Sequence, residues 1–145
     1  MQVSGVQCTR WRPVDGLDVP CADLLFHYTP PDLLGVRMRF SNVRGGQPLD
    51  LGLQFRGAIS MRWESESIGL VPLPEPLPKC SNANWADWTF PLLRIEHSPW
   101  LVELEARRPI EAERRVHFAL VTMNDLLHVL ARDADANWVE APDAA

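Results

Sequence analysis

The chain has 145 residues, 46% of them hydrophobic and 23% charged, with a formal net charge of −5. That is the size and make-up of one ordinary folded domain with enough apolar material for a core, so residues 1–145 are read as a single domain. No run approaches the roughly 18 apolar residues of a membrane-spanning helix. The start, Met1-Gln2-Val3-Ser4-Gly5-Val6-Gln7-Cys8, lacks the basic and apolar regions of a signal peptide, which predicts a cytoplasmic protein with no membrane association.

The first 22 residues show little periodicity, broken further by Pro13 and Pro20. Leu24–Tyr28 is a strand candidate ended by the turn Thr29-Pro30-Pro31-Asp32. In the next strand candidate Val36, Met38 and Phe40 share a face, with Arg37 and Arg39 on the other. After a turn at Asn42–Gly46, Leu49, Leu51, Leu53 and Phe55 alternate with polar residues and Gly57 marks a bend or bulge. Ile59, Met61 and Trp63 resume the alternation against Ser60, Arg62 and Glu64. Residues 24–65 are therefore expected to form a four-stranded antiparallel meander with one face in water.

Val71–Pro78 carries proline at every second position, which predicts an extended connector. Cys80–Asn84 continues as loop or a short turn, and Phe90–Glu96 reads as a strand. Ser98 as N-cap and Pro99 at the first helical position predict a helix from 98 to 107, closed by Pro109. Val116–Thr122 and Leu126–Ala131 read as a hairpin turning at Asn124-Asp125, although Leu126–Ala131 could also be a helix. Asp133–Asn137 is expected to be a polar break before Trp138-Val139, followed by a loose end. The expected fold class is α+β, mainly antiparallel sheet, built from an N-terminal meander and a C-terminal hairpin with one or two helices.

The chemistry-bearing residues are few. Cys8, Cys21 and Cys80 cannot all pair within one chain and none has a C-x-x-C spacing, so they read as ordinary reduced thiols. His27, His97, His117 and His128 lack the spacing of a helical metal pair. A hairpin at Asn124-Asp125 puts His117 and His128 on one face but four positions apart, roughly 13 Å at a rise of about 3.3 Å per residue. That is too far to share a zinc ion. No G-x-S-x-G elbow, dinucleotide fingerprint or phosphate loop occurs. Surface carboxylate pairs such as Glu64 with Glu66 and Glu103 with Glu105 read as solvated faces. The expectation is no enzyme, no catalytic residues, no metal and no cofactor. Of the 14 basic residues only Lys79 is a lysine, and the arginines are scattered, which argues against nucleic acid as a partner.

Surface recognition remains. Six tryptophans are many for this length, and tryptophan is enriched at binding hot spots. Asn84-Trp85-Ala86-Asp87-Trp88 sets two indoles around an acid, and Trp63-Glu64-Ser65-Glu66 is a second acidic aromatic segment. Trp85, Asp87, Trp88, Glu64 and Glu66 are therefore the candidate partner-binding residues, with both indoles folded onto the sheet as the alternative for the first segment.

The segments Pro91–Leu101, Val116–Leu120 and Asp125–Ala131, with their strand, Ser98-Pro99-Trp100 helix start and closing hairpin, resemble small bacterial proteins. Such proteins often accompany polymorphic or contact-dependent toxins as their immunity proteins. The resemblance lies in the C-terminal half and carries no catalytic motif. It implies a cytoplasmic protein that binds a cognate toxin and occludes its active site. The alternatives are a homo-oligomeric structural or accessory protein, or a small enzyme whose site is assembled from distant residues such as Cys80 and the histidines.

Overall fold

Apolar alternation sorts the chain into two sheets in the computed structural model, which describes residues 6–44, 47–65, 77–123 and 125–140. The strands are β1 (Gln7–Arg10), β2 (Asp23–Thr29), β3 (Leu33–Arg44), β4 (Gln47–Arg56), β5 (Ser60–Ser65), β6 (Leu92–Glu96), β7 (Val116–Val121), β8 (Asp125–Ala131) and β9 (Asp133–Glu140). Two helices, α1 (Pro99–Arg107) and α2 (Pro109–Ala112), lie between β6 and β7. The strands pair antiparallel as a four-stranded sheet ordered β2-β3-β4-β9 and a five-stranded sheet ordered β1-β6-β7-β8-β5. The fold class is α+β, mainly antiparallel. No helix among the described residues is long and apolar enough to cross a membrane.

The core lies between the sheets. In the register of β3 on β4, Leu34 faces Phe55, Val36 faces Leu53, Met38 faces Leu51 and Phe40 faces Leu49, and all eight side chains are buried. From the other sheet Phe118, Leu120, Leu127 and Val129 complete the same apolar cluster. Phe55 and Phe118 meet edge-to-face with centroids 5.2 Å apart, and Trp11 closes on Phe118 at 4.7 Å. Such aromatic pairs contribute about 0.5–1.5 kcal/mol beyond the area they bury.

The two outer faces differ. Helix α1 begins as expected, with the Ser98 hydroxyl accepting from the Leu101 N–H and Pro99 in the first turn. Its half-buried Trp100, Leu101 and Leu104 form the stripe that a surface helix turns inward, and Trp100 packs over the five-stranded sheet. The outer face of the four-stranded sheet presents Leu25, Arg37 and Gln54 to solvent. There Asp50, only 4% exposed, pairs with Arg39 at 2.9 Å and Arg37 at 3.6 Å.

Four expectations need correction. The meander has three strands, because β5 crosses to the other sheet and pairs with β8 while β9 takes the place beside β4. The residues around Asp133–Asn137 are strand, since Ala134, Ala136 and Trp138 are half-buried against the core while Asp133, Asp135 and Asn137 face outward. Gln7–Arg10 is also a strand, a short edge on β6. The hairpin of β7 and β8 forms as expected. Residues 42–44, read as part of a turn, extend β3, while Gly45, Gly46 and the connector prolines Pro72, Pro74 and Pro76 lie outside the described residues.

The crossing of β5 has a simple geometry. Residues 49–56 pair with 133–140, and residues 60–65 pair with 125–130, so β4-β5 and β8-β9 form one antiparallel ribbon that bends from sheet to sheet. At the bend Arg132 N–H donates to the Arg56 carbonyl and Ile59 N–H to the Leu130 carbonyl, both at 2.9 Å. Strands that switch sheets turn corners of this kind through bulges. Gly57 takes φ +63°, and a Cβ there would sit 3.0 Å from Cβ of Arg132. Gly57→Ala is therefore expected to destabilise the protein by about 2 kcal/mol, from left-handed backbone strain plus the crowded contact, read as a lowered urea midpoint with an unchanged slope.

Candidate functional site

Alternation along β7 sends Phe118 into the core and His117 to the opposite face, beneath α1. On β8 the same rule sends Val129 inward and His128 outward. The two imidazoles meet, with Nε2 of His117 2.7 Å from Nδ1 of His128. Nδ1 of His117 is 2.6 Å from the Ser98 hydroxyl, and Nε2 of His128 lies 3.6 Å from the Glu64 carboxylate. Trp100 caps the pair edge-on at 5.4 Å and 6.3 Å, and the Arg62 guanidinium stacks over Trp100 at 5.2 Å.

The expected separation of the histidines is overturned. Ala119 faces His128 and His117 faces Leu130, so the histidines are two positions apart and not four. The hairpin centre lies one residue earlier than Asn124-Asp125, with Thr122 N–H donating to the Asp125 carbonyl at 2.9 Å. Moving the centre by one residue moves every cross-strand pair by two.

The hydrogens can be assigned from the network. The Glu64 carboxylate at the far end favours an N–H on Nε2 of His128, so the Ser98 hydroxyl, which also accepts from Leu101 N–H, donates to Nδ1 of His117. Nε2–H of His117 then donates to Nδ1 of His128, leaving the remaining N–H of His128 pointing at the Glu64 carboxylate. The opposite polarity would aim a bare nitrogen lone pair at that carboxylate. Burial lowers the His117 pKa to about 3, helped by His128, and lowers that of His128 against the raising influence of Glu64. Both rings are therefore neutral at physiological pH.

Four residues of types familiar from hydrolytic sites thus stand in line, but the arrangement is sealed. Ser98 is 2% exposed, Glu64 3%, and both histidines 0%. The imidazole nitrogens point at one another, not at a shared vacancy. Among the described residues no group of three or more His, Cys, Asp or Glu could hold a metal ion. The cysteines stay protonated: burial raises the pKa of Cys8 to about 11 and that of Cys21 to about 12. The network ties the start of α1 to three strands.

The partner-binding candidates separate accordingly. Glu64, expected on a solvated face, is turned inward beneath α1, so its carboxylate is not presented to a partner. Its neighbour Trp63 shares a face with Leu127 yet remains 54% exposed, because β5 is an edge strand. Glu66 lies outside the described residues. Trp85, Asp87 and Trp88 are brought together by a short 3-10 turn, Ala83–Trp85, capped by the Asn82 side chain. Trp85 packs half-buried on the core, whereas Asp87 is exposed and Trp88 is 38% exposed. The two indoles meet edge-to-face at 6.2 Å.

This loop is tied down at both ends. Cys80 N–H donates to the Trp88 carbonyl at 2.8 Å, and Phe90 N–H to the Pro78 carbonyl at 2.9 Å. Asp18 accepts from both the hydroxyl and the N–H of Ser81 and pairs with Arg12 at 2.7 Å. The Arg12 hydrogen bond, with help from Ser81, holds the Asp18 pKa down at about 2.

A second surface feature is a shallow hollow on the outer face of the four-stranded sheet, floored by Gly35 and Gly52 and walled by Leu25, Arg37, Gln54 and Asn137. A Cβ at either glycine would meet nothing closer than 3.6 Å. Packing therefore does not demand glycine at these two positions.

The buried histidines make stability depend on pH. The unfolded chain takes up protons below pH about 6.5, whereas folded His117 does so only near 3. Stability is therefore complete above about 6.5 and declines as pH falls between those values, by about 1.4 kcal/mol per pH unit for His117 alone. Urea midpoints measured from neutral to mildly acid pH should fall accordingly. Ser98→Ala removes a helix cap and orphans a buried imidazole nitrogen, and should cost about 2 kcal/mol in the same assay. No protein-family model matches the chain, and no curated protein or solved structure matches it.

Proposed function

We propose that this chain is a protein-binding module centred on Asp87 and Trp88, acting in the bacterial cytoplasm as an immunity protein that inhibits a cognate toxin domain. The observation that carries the reading is the fixed display of an exposed acid beside an exposed indole. A pre-ordered loop loses little entropy on binding, and a partly exposed tryptophan on a rigid base has the character of a hot spot. The net charge of −5 favours a basic partner and speeds encounter with it. The resemblance of the C-terminal half to immunity proteins supplies the class of partner. Inhibition would come from occlusion, with Asp87 standing where an anionic substrate group otherwise sits.

Trp85 and Trp88 have different parts in this reading, Trp85 as the anchor on the core and Trp88 as the contact. Affinity capture of the tagged chain from its native cell is expected to recover one stoichiometric protein partner. Trp88→Ala and Asp87→Ala should each weaken that complex at least about tenfold with an unchanged melting temperature. Trp85→Ala should lower the melting temperature itself. Undiminished affinity in the Trp88→Ala and Asp87→Ala proteins would remove this loop as the contact surface.

A further inference from the structure

Edge strands present unpaired backbone groups, and proteins usually guard them with charge, proline or a bulge. Three of the four edges of the two sheets are guarded or small. Strand β1 has four residues, β9 exposes Asp133 and Asp135, and β5 exposes Arg62. Strand β2 differs. Over Asp23–Thr29 it has no Lys, Arg or Glu and one Asp, Asp23, and its apolar side chains are uncovered: Leu25 is 76% exposed, Phe26 43% and Tyr28 45%. Beyond its pairing with β3, no described strand lies against it.

The sequence of β2 is also self-complementary. In an antiparallel pairing of two copies about Phe26, Phe26 faces its own equivalent, Leu25 faces His27, Leu24 faces Tyr28, and Asp23 faces Thr29. No like charges oppose, and the central pair is aromatic on aromatic, a favourable cross-strand combination. The same operation on β9 would oppose Asp133 to Glu140, two acids. A two-fold axis at Phe26 gives an isologous, closed interface and joins two four-stranded sheets into one of eight.

We infer that β2 is a homodimer edge at which a second copy of this chain adds antiparallel about Phe26. The inference is independent of the toxin-binding reading, since the Asp87–Trp88 loop is separate in sequence from β2. One strand pairing buries less than a standard interface, so the dimer belongs to the weak, micromolar class. The net charge of −5 on each copy opposes association, so added salt should tighten the dimer.

The test is analytical ultracentrifugation of the full chain from about 1 to 300 µM, with circular dichroism as the check of folding. Reversible dimerisation that strengthens with salt is expected. Phe26→Lys and Phe26→Glu should each weaken it at least about tenfold, and an equimolar mixture of the two should restore association by opposing unlike charges at the axis. Thr29 is exposed and away from the core, so its variants avoid any folding defect at Phe26. Thr29→Lys, facing Asp23 of the second copy, should tighten the dimer and Thr29→Asp should loosen it, each about two- to tenfold. A wild-type chain that stays monomeric throughout, or a dimer indifferent to the Thr29 variants, overturns the inference.

Discussion

The bend of one long ribbon at Gly57 decides the rest of the architecture. Because β4-β5 and β8-β9 turn together at this corner, each sheet receives one strand from either arm. Two separate sheets would need only apolar faces to associate. This pair is joined through its backbone by the hydrogen bonds of Arg56 with Arg132 and Ile59 with Leu130. The Trp11, Phe55 and Phe118 cluster fills the space that the bend encloses. Side chains there set the packing, while the corner sets which strands face one another.

The same corner creates the buried polar line. By carrying β5 to the edge of the five-stranded sheet, it lays Glu64 beside His128 and so completes a chain that starts at Ser98. Two of its links are hydrogen bonds, Ser98 with His117 and His117 with His128, whereas Nε2 of His128 stops 3.6 Å from the Glu64 carboxylate and has no hydrogen-bond partner among the described residues. The helix start, the hairpin and the edge strand thereby meet at one buried line of side chains. That is a specification of arrangement, with the chemistry of the residues enclosed and not offered to solvent.

Much of this was legible from period-2 patterning. Val36-Met38-Phe40 and Leu49-Leu51-Leu53-Phe55 lie on the core as their alternation demands, and Ser98-Pro99 opens a helix because the capping chemistry is local. Pairing was harder to read. Met61 and Trp63 alternate with the right period, but alternation does not say which sheet a strand joins, and at an edge the inward face can remain wet while the outward one is covered. Asp133 and Asp135 looked like loop residues because β9 has acids on its solvent face and small alanines on the other. Within the site, the meeting of His117 and His128 was missed through a single residue in the placement of a turn. The signal was present, as two histidines at outward positions of otherwise apolar strands. Trp85 and Trp88 could be identified as a pair, though only their packing separates anchor from contact.

The bent ribbon also sets an order of events during synthesis. Strand β4 is finished at Arg56, yet its partner β9 ends at Glu140. Strand β1 likewise waits for β6, from residue 10 to residue 92. A ribosome at about 5–20 residues per second keeps one side of β4 open for several seconds before the closing strand emerges. Pairings so distant in sequence are slow to form. The nascent β2-β3-β4 meander is thus an unclosed sheet with two open sides for most of the chain's birth, and its β4 side closes only when β9 has emerged.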